Sequence, residues 1–178
     1  MIGIFNAEDY DSILRLLAAT GAGMLIGLNR DLSGKPTGTR TLGLVALGAA
    51  LVSVVTTHVD GMRENPDALS RVVQGLIQGI LTGIGFVGAG VVIRDRANLS
   101  VYGLTTAATV WVTAALGIAC ALAPWPFVGA GMAITLVLLL LAKPLDSLIN
   151  RRRHQHRGYG HGSGGGETEV SLPPDGPQ

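Results

Sequence analysis

Between Val72 and Ile93 the chain carries no charged side chain over 22 residues. That length crosses a hydrocarbon core of about 30 Å at ~1.5 Å per residue. Glycine falls at 75, 79 and 83, and again at 85, 88 and 90. A spacing of four places Gly75, Gly79 and Gly83 on one helix face. In lipid, a face of small residues lets a second helix approach closely. This span is therefore expected at the centre of a bundle, with the rest of the chain packed around it.

The remaining sequence follows the same plan. Apolar residues make up 48% and charged residues 14% of the 178, with a mean hydropathy of +0.44. A soluble domain carries about 25% charged residues. Here the charges gather in short clusters between long uncharged runs, so the fold class is an all-α integral membrane protein. About five transmembrane helices are expected, near residues 12–28, 42–59, 72–93, 103–122 and 126–142. Arg15 interrupts the first near its start, where a long side chain can snorkel to the interface. Gly23 and Gly27 form a GxxxG pair in it. Asn65-Pro66 reads as a helix cap followed by proline at the first helical position. Pro124-Trp125-Pro126 splits the uncharged run 97–142 into two spans, with Trp125 at the membrane boundary. Residues 1–150 form the transmembrane domain. Residues 151–178, rich in glycine, proline and charge, form a tail expected to be disordered.

Ten of the thirteen Lys and Arg residues fall in the first loop, the third loop and the stretch that follows the fifth span. The excess of positive charge marks the cytosolic side, so the N-terminus is expected outside and the C-terminus inside. The first eleven residues are acidic, unlike a cleavable signal, so the first span is expected to be retained. A net charge of +1 implies no nucleic-acid partner. The implied partners are the lipid bilayer and either another integral membrane protein or a second copy. Cys120 stands alone in an apolar run and reads as a small buried residue.

Several motifs invite stronger readings. Gly83-Ile84-Gly85-Phe86-Val87-Gly88 matches GxGxxG. A dinucleotide site needs a strand before it and an acidic residue about 20 positions on. This one lies inside a membrane-length run, so close packing or a bend of the backbone fits better. Thr105, Thr109 and Thr113 recur every four residues. Each hydroxyl can bond the carbonyl one turn back, or the stripe can contact another helix. Gln74 and Gln78 stand one turn apart. A buried amide needs a partner, so they are expected to face protein, or else a solute path. His154, His156 and His161 form no specific metal site. Asn98 opens a glycosylation sequon on the side expected to be cytosolic. No P-loop, serine nucleophile or metal-ligand set occurs, and no cofactor and no enzymatic activity are expected.

In order, GMLIGLNRD, TGTRTLGLVALGAALV, SRVVQG, TGIGFVGAGVVI and YGLTTAATVWVTAALGIA resemble the membrane domain of the MgtC/SapB family over roughly residues 12–142. The resemblance implies a bacterial inner-membrane protein linked to growth in low magnesium and, in some pathogens, to survival inside host cells. It places the family's charged landmarks on Arg30, Arg40 and Arg71. Its small-residue core falls on Gly27, Gly83, Gly85, Gly88, Gly90 and Gly103, and its Thr-Thr-Ala-Ala turn on Thr105, Thr106, Ala107 and Ala108, followed by Trp111. Asn29 stands where the family commonly has glutamate. The soluble ACT-like domain of some relatives is expected to be absent, since only the tail follows.

Two functions compete. One is a non-enzymatic regulatory or accessory protein acting through helix contacts with another membrane protein. The other is a transporter or channel for Mg2+ or another small solute, lined by Gln74, Gln78 and the threonines. Arg30, Arg40, Arg94 and Asp95 are expected at one cytosolic surface. There they either anchor helices to head groups, or Arg40 pairs with Asp95 or contacts a partner.

Overall fold

A computed structural model describes residues 6–58, 66–95 and 100–157, with side chains over 6–58, 66–92 and 102–141. Five helices carry the chain: α1 (Ala7–Asp31), α2 (Thr39–Thr57), α3 (Pro66–Gly90), α4 (Leu104–Leu122) and α5 (Trp125–Arg157). Four of them are long and apolar enough to cross a membrane, and α5 adds a shorter apolar stretch, Trp125–Leu141. The all-α membrane bundle expected from the charge pattern is therefore present.

The helix ends follow local chemistry. At the start of α1, Asn6 and Asp9 form a reciprocal capping box, and the Asn6 N–H donates to the Asp9 carboxylate at 2.7 Å. That box carries α1 about a turn further back than the first charge-free residue suggested. Pro66 opens α3 as expected. Asn65 lies outside the described residues, as do Asn98 and His161. Between α3 and α4, two short strands, β1 (Ile93–Asp95) and β2 (Ser100–Tyr102), pair antiparallel with Arg94 opposite Val101. The span expected to run to Ile93 thus ends as a helix at Gly90, and Ile93 opens the strand pair instead.

The chain divides into two units, Met1–Leu141 and Ala142–Gln178. In the second, α5 continues to Arg157, so residues 151–157, expected in a disordered tail, are helical. Residues 158–178 lie outside the described residues.

The centre of the first unit is α4, not α3. The α4 span is half buried within the chain and the α3 span only 6%. Three close approaches explain the difference. A Cβ on Gly117 would land on the Ala46 carbonyl, one on Gly23 on the Leu42 carbonyl, and one on Gly27 on the Thr39 backbone. So α1, α2 and α4 pack backbone to backbone through glycine, with Ile26, Leu42, Ala46, Ala50, Val110, Ala114 and Cys120 sealed between them. By contrast a Cβ on Gly75, Gly79, Gly83, Gly85 or Gly90 would meet nothing within 4 Å. Within α3 only Gly88 is buried, where a Cβ would lie 3.5 Å from the Ala107 side chain. The glycine stripe expected to organise the bundle thus makes no close approach within the single chain, and Gly79 and Gly83 line an open groove beside α2.

Candidate functional site at the Arg30 junction

Gly27, Arg30 and Asp31 close α1 at spacings of three and four, which sets them on one side of its last turn. With no side chain at Gly27, the start of α2 closes in, and Arg30 and Asp31 are drawn into the joint. Asp31 accepts hydrogen bonds from the Thr39 N–H at 2.9 Å and the Thr39 hydroxyl at 2.6 Å. It caps α2 from outside, where Gly38 offers no side chain of its own.

Arg30 is 3% exposed and lacks a carboxylate partner among the described residues. Its Nε donates to the carbonyls of Pro36 and Thr37, each at 3.2 Å. Its Nη2 donates to the Pro36 carbonyl at 2.8 Å and the Thr106 hydroxyl at 2.6 Å, and Nη1 to the Thr109 hydroxyl at 3.2 Å. The rigid fork of the guanidinium lets one side chain hold both the 32–38 loop and α4. The position is not favoured by the positive N-terminal end of α4. Neutral acceptors on every side offset that by replacing the water the cation gave up. Thr37, which supplies one of them, sits at φ 62°, a left-handed conformation uncommon for threonine.

The threonine stripe serves both purposes considered from the sequence. Thr109 donates to the Thr105 carbonyl at 2.7 Å and Thr113 to the Thr109 carbonyl at 2.8 Å, while Thr106 and Thr109 also receive Arg30. Thr105 itself is exposed. The turn entering α4 depends on Gly103, at φ 91°, where a Cβ would strike the Val91 carbonyl.

The other candidates separate into three places. Arg40 is exposed and makes no hydrogen bond or ion pair among the described residues. It lines a surface cavity of about 560 Å3 with Asp31, Gly38 and Thr39. The side chains of Arg94 and Asp95 lie outside those described, so the Arg40–Asp95 pair is not observed. Arg71, Gln74 and Gln78 lie in the N-terminal half of α3, away from the junction, and all three are exposed. Gln74 and Gln78 line an open groove of about 680 Å3 with Leu69, Val73 and Ile77. Neither amide has a hydrogen-bond partner among the described residues; both open onto this groove. Trp111 is 44% exposed on the outside of α4.

Two contacts escaped sequence reading. Asp31 as an external cap left no signal, because its partner lies across a loop. Arg15 does not simply snorkel. It pairs with Asp11 at 2.6 Å, donates to the carbonyls of Cys120, Ala121 and Ala123 at the end of α4, and stacks 5.3 Å from the Trp125 ring. The nearby Trp125 was a visible hint.

Comparison with known proteins shows the family of the chain. The profile of the MgtC family matches residues 16–148. Protein SrpB of Synechococcus elongatus is 42% identical over 109 residues, covering 58% of this chain and 59% of that protein. Protein MgtC of Salmonella typhimurium is 42% identical over 110 residues, covering 62% of this chain and 43% of its own length. Protein SapB of Bacillus subtilis is 37% identical over 116 residues, covering 62% and 47% respectively. The chain thus spans roughly half the length of these relatives. No solved structure matches. With its glycine-packed helices and the family profile running from α1 into α5, this membrane protein belongs to the MgtC family.

Proposed function

We propose that this chain is a non-enzymatic accessory or regulatory protein of the bacterial inner membrane, acting by side-on contact with another membrane protein. The observation that carries the reading is the outward face of α3. Gly75, Gly79 and Gly83 leave one side of it flat, and on the neighbouring side Gln74 and Gln78 line an open groove with no hydrogen-bond partner among the described residues. An unpaired amide against acyl chains costs a few kcal/mol, roughly 2–7. A neighbouring helix that accepts those amides and fits the glycine row removes that cost.

A photo-crosslinking residue at the exposed Thr82 tests this in native membranes. Discrete protein adducts are expected. Gly79→Leu should remove them while leaving the amount of protein unchanged, because the added side chain enters open space. Adducts that survive Gly79→Leu would reject the contact.

The solute-path reading places Gln74 and Gln78 along a conduit, yet the groove they line is open and is lined by α3 residues alone. Saturable Mg2+ uptake by the purified protein in liposomes would favour that reading and overturn the accessory one.

The orientation proposed from the ten-to-three charge distribution puts the Arg30 junction, β1 and β2 on the cytosolic side. Arg40 is then an accessible cation at that surface. The link to magnesium limitation rests on the family resemblance. Arg40→Ala is expected to leave the protein level near normal and to abolish growth support at low magnesium, measured by complementation. Arg40→Lys should restore growth if head-group anchoring is its task, and fail if a forked contact is required. Normal growth of Arg40→Ala would remove this residue from the functional surface.

A further inference from the structure

At the end of the bundle opposite Arg30, α1 meets the last turn of α2 through three linked hydrogen bonds. His58 Nδ1 lies 2.7 Å from the Val54 carbonyl. His58 Nε2 lies 3.1 Å from the Ser12 hydroxyl. The same hydroxyl lies 2.9 Å from the Glu8 carbonyl. A carbonyl only accepts, so Nδ1 must carry a proton. The Ser12 hydroxyl has one proton to give. When Nε2 is bare, that proton goes either to Nε2 or to the Glu8 carbonyl, and one of the three contacts is lost. When Nε2 is protonated, it donates to Ser12, Ser12 donates to Glu8, and all three are made.

Among the described residues, the charged groups around the ring are those of α1. Glu8, Asp11 and Arg15 line one cavity of about 450 Å3 with Ser12 and His58, and Asp11 is already paired with Arg15. From α4 that cavity receives only Ala121 and Leu122.

We propose that His58 and Ser12 form a proton-operated clasp, holding α1 to the C-terminal end of α2 more tightly with an imidazolium ring than with a neutral one. The device is independent of the accessory role proposed above. Histidine is the side chain that ordinarily changes charge between about pH 5 and 8. Because the contact is exposed, water competes for each bond, and the gain is modest.

Hydrogen exchange on the intact protein in detergent or nanodiscs reads the clasp directly. After correction for intrinsic exchange, amides in the last turn of α2 and the first turns of α1 should be about threefold better protected at pH 6 than at pH 8. His58→Gln and Ser12→Ala should each flatten that dependence. A pH dependence that persists in both variants, or is missing from the wild type, overturns the proposal. A second measurement needs no variant to fold. Nitrogen NMR of the wild-type ring at high pH should show the Nδ1–H tautomer, as the Val54 carbonyl requires. Finding the neutral ring protonated at Nε2 instead would overturn it as well.

Discussion

Arg30→Met is expected to deplete the protein from the membrane. The substitution strands the buried hydroxyl of Thr106 and takes the donor from the partly exposed carbonyls of Pro36 and Thr37. Each stranded group costs about 1–3 kcal/mol. Against a total stability of about 5–15 kcal/mol, one such loss together with release of the 32–38 loop from α4 is severe. Removing the cation also removes its burial cost, so the loss falls short of a simple sum. Arg30→Lys should not rescue fully, since one ammonium cannot reach both the loop carbonyls and α4 as a fork does. Immunoblots of membrane fractions and melting in detergent check both variants. Wild-type level and melting for Arg30→Met would show that the joint is held without its guanidinium.

Gly117→Leu should be at least as damaging. The new side chain must displace the Ala46 carbonyl and lies 3.0 Å from the Ala46 Cα. Both are backbone atoms of α2 that cannot rotate aside, so the two central helices must separate. Overpacking of this kind costs about 1–3 kcal/mol in soluble cores, and more where the backbone itself is blocked. Gly79→Leu, in an equally apolar span, serves as the matched control and should accumulate normally. Equal loss for the two would mean that α3 is also packed by glycine inside the single chain.

The contrast between these glycines shows what was legible in the sequence and what was not. Uncharged runs and their punctuation gave the five helices, because lipid leaves a spanning segment few alternatives. The four-residue glycine spacing correctly marked flat helix faces. It could not tell a face used within the chain from one left outward, since Gly23, Gly117 and Gly79 look alike before the helices are placed. The longest stripe attracted the central role, whereas the interior formed around α4, whose glycine signal is Gly117 alone. Arg30 was picked out through the family pattern as a landmark, and its neighbours Thr106 and Thr109 as a stripe. Their meeting depends on contacts across 76 and 79 residues, which no local pattern encodes. Asp31 remained unseen for a simpler reason: capping signals are sought next to a helix, and its ligand is eight residues away.

The same sequence separation sets an order of events during synthesis. The loop carbonyls reach Arg30 as soon as residues 36 and 37 have emerged, but the α4 hydroxyls follow some seventy residues later. At about 5–20 residues per second, the ribosome needs several seconds to bridge that gap. Throughout that interval the α1–α2 hairpin carries a cation whose second set of acceptors has not yet been made. It is therefore held at the water boundary until α4 arrives. The arrival of α4 is then a quality checkpoint, and a nascent chain truncated before residue 106 should be cleared by membrane proteases rather than accumulate as a stable two-helix fragment.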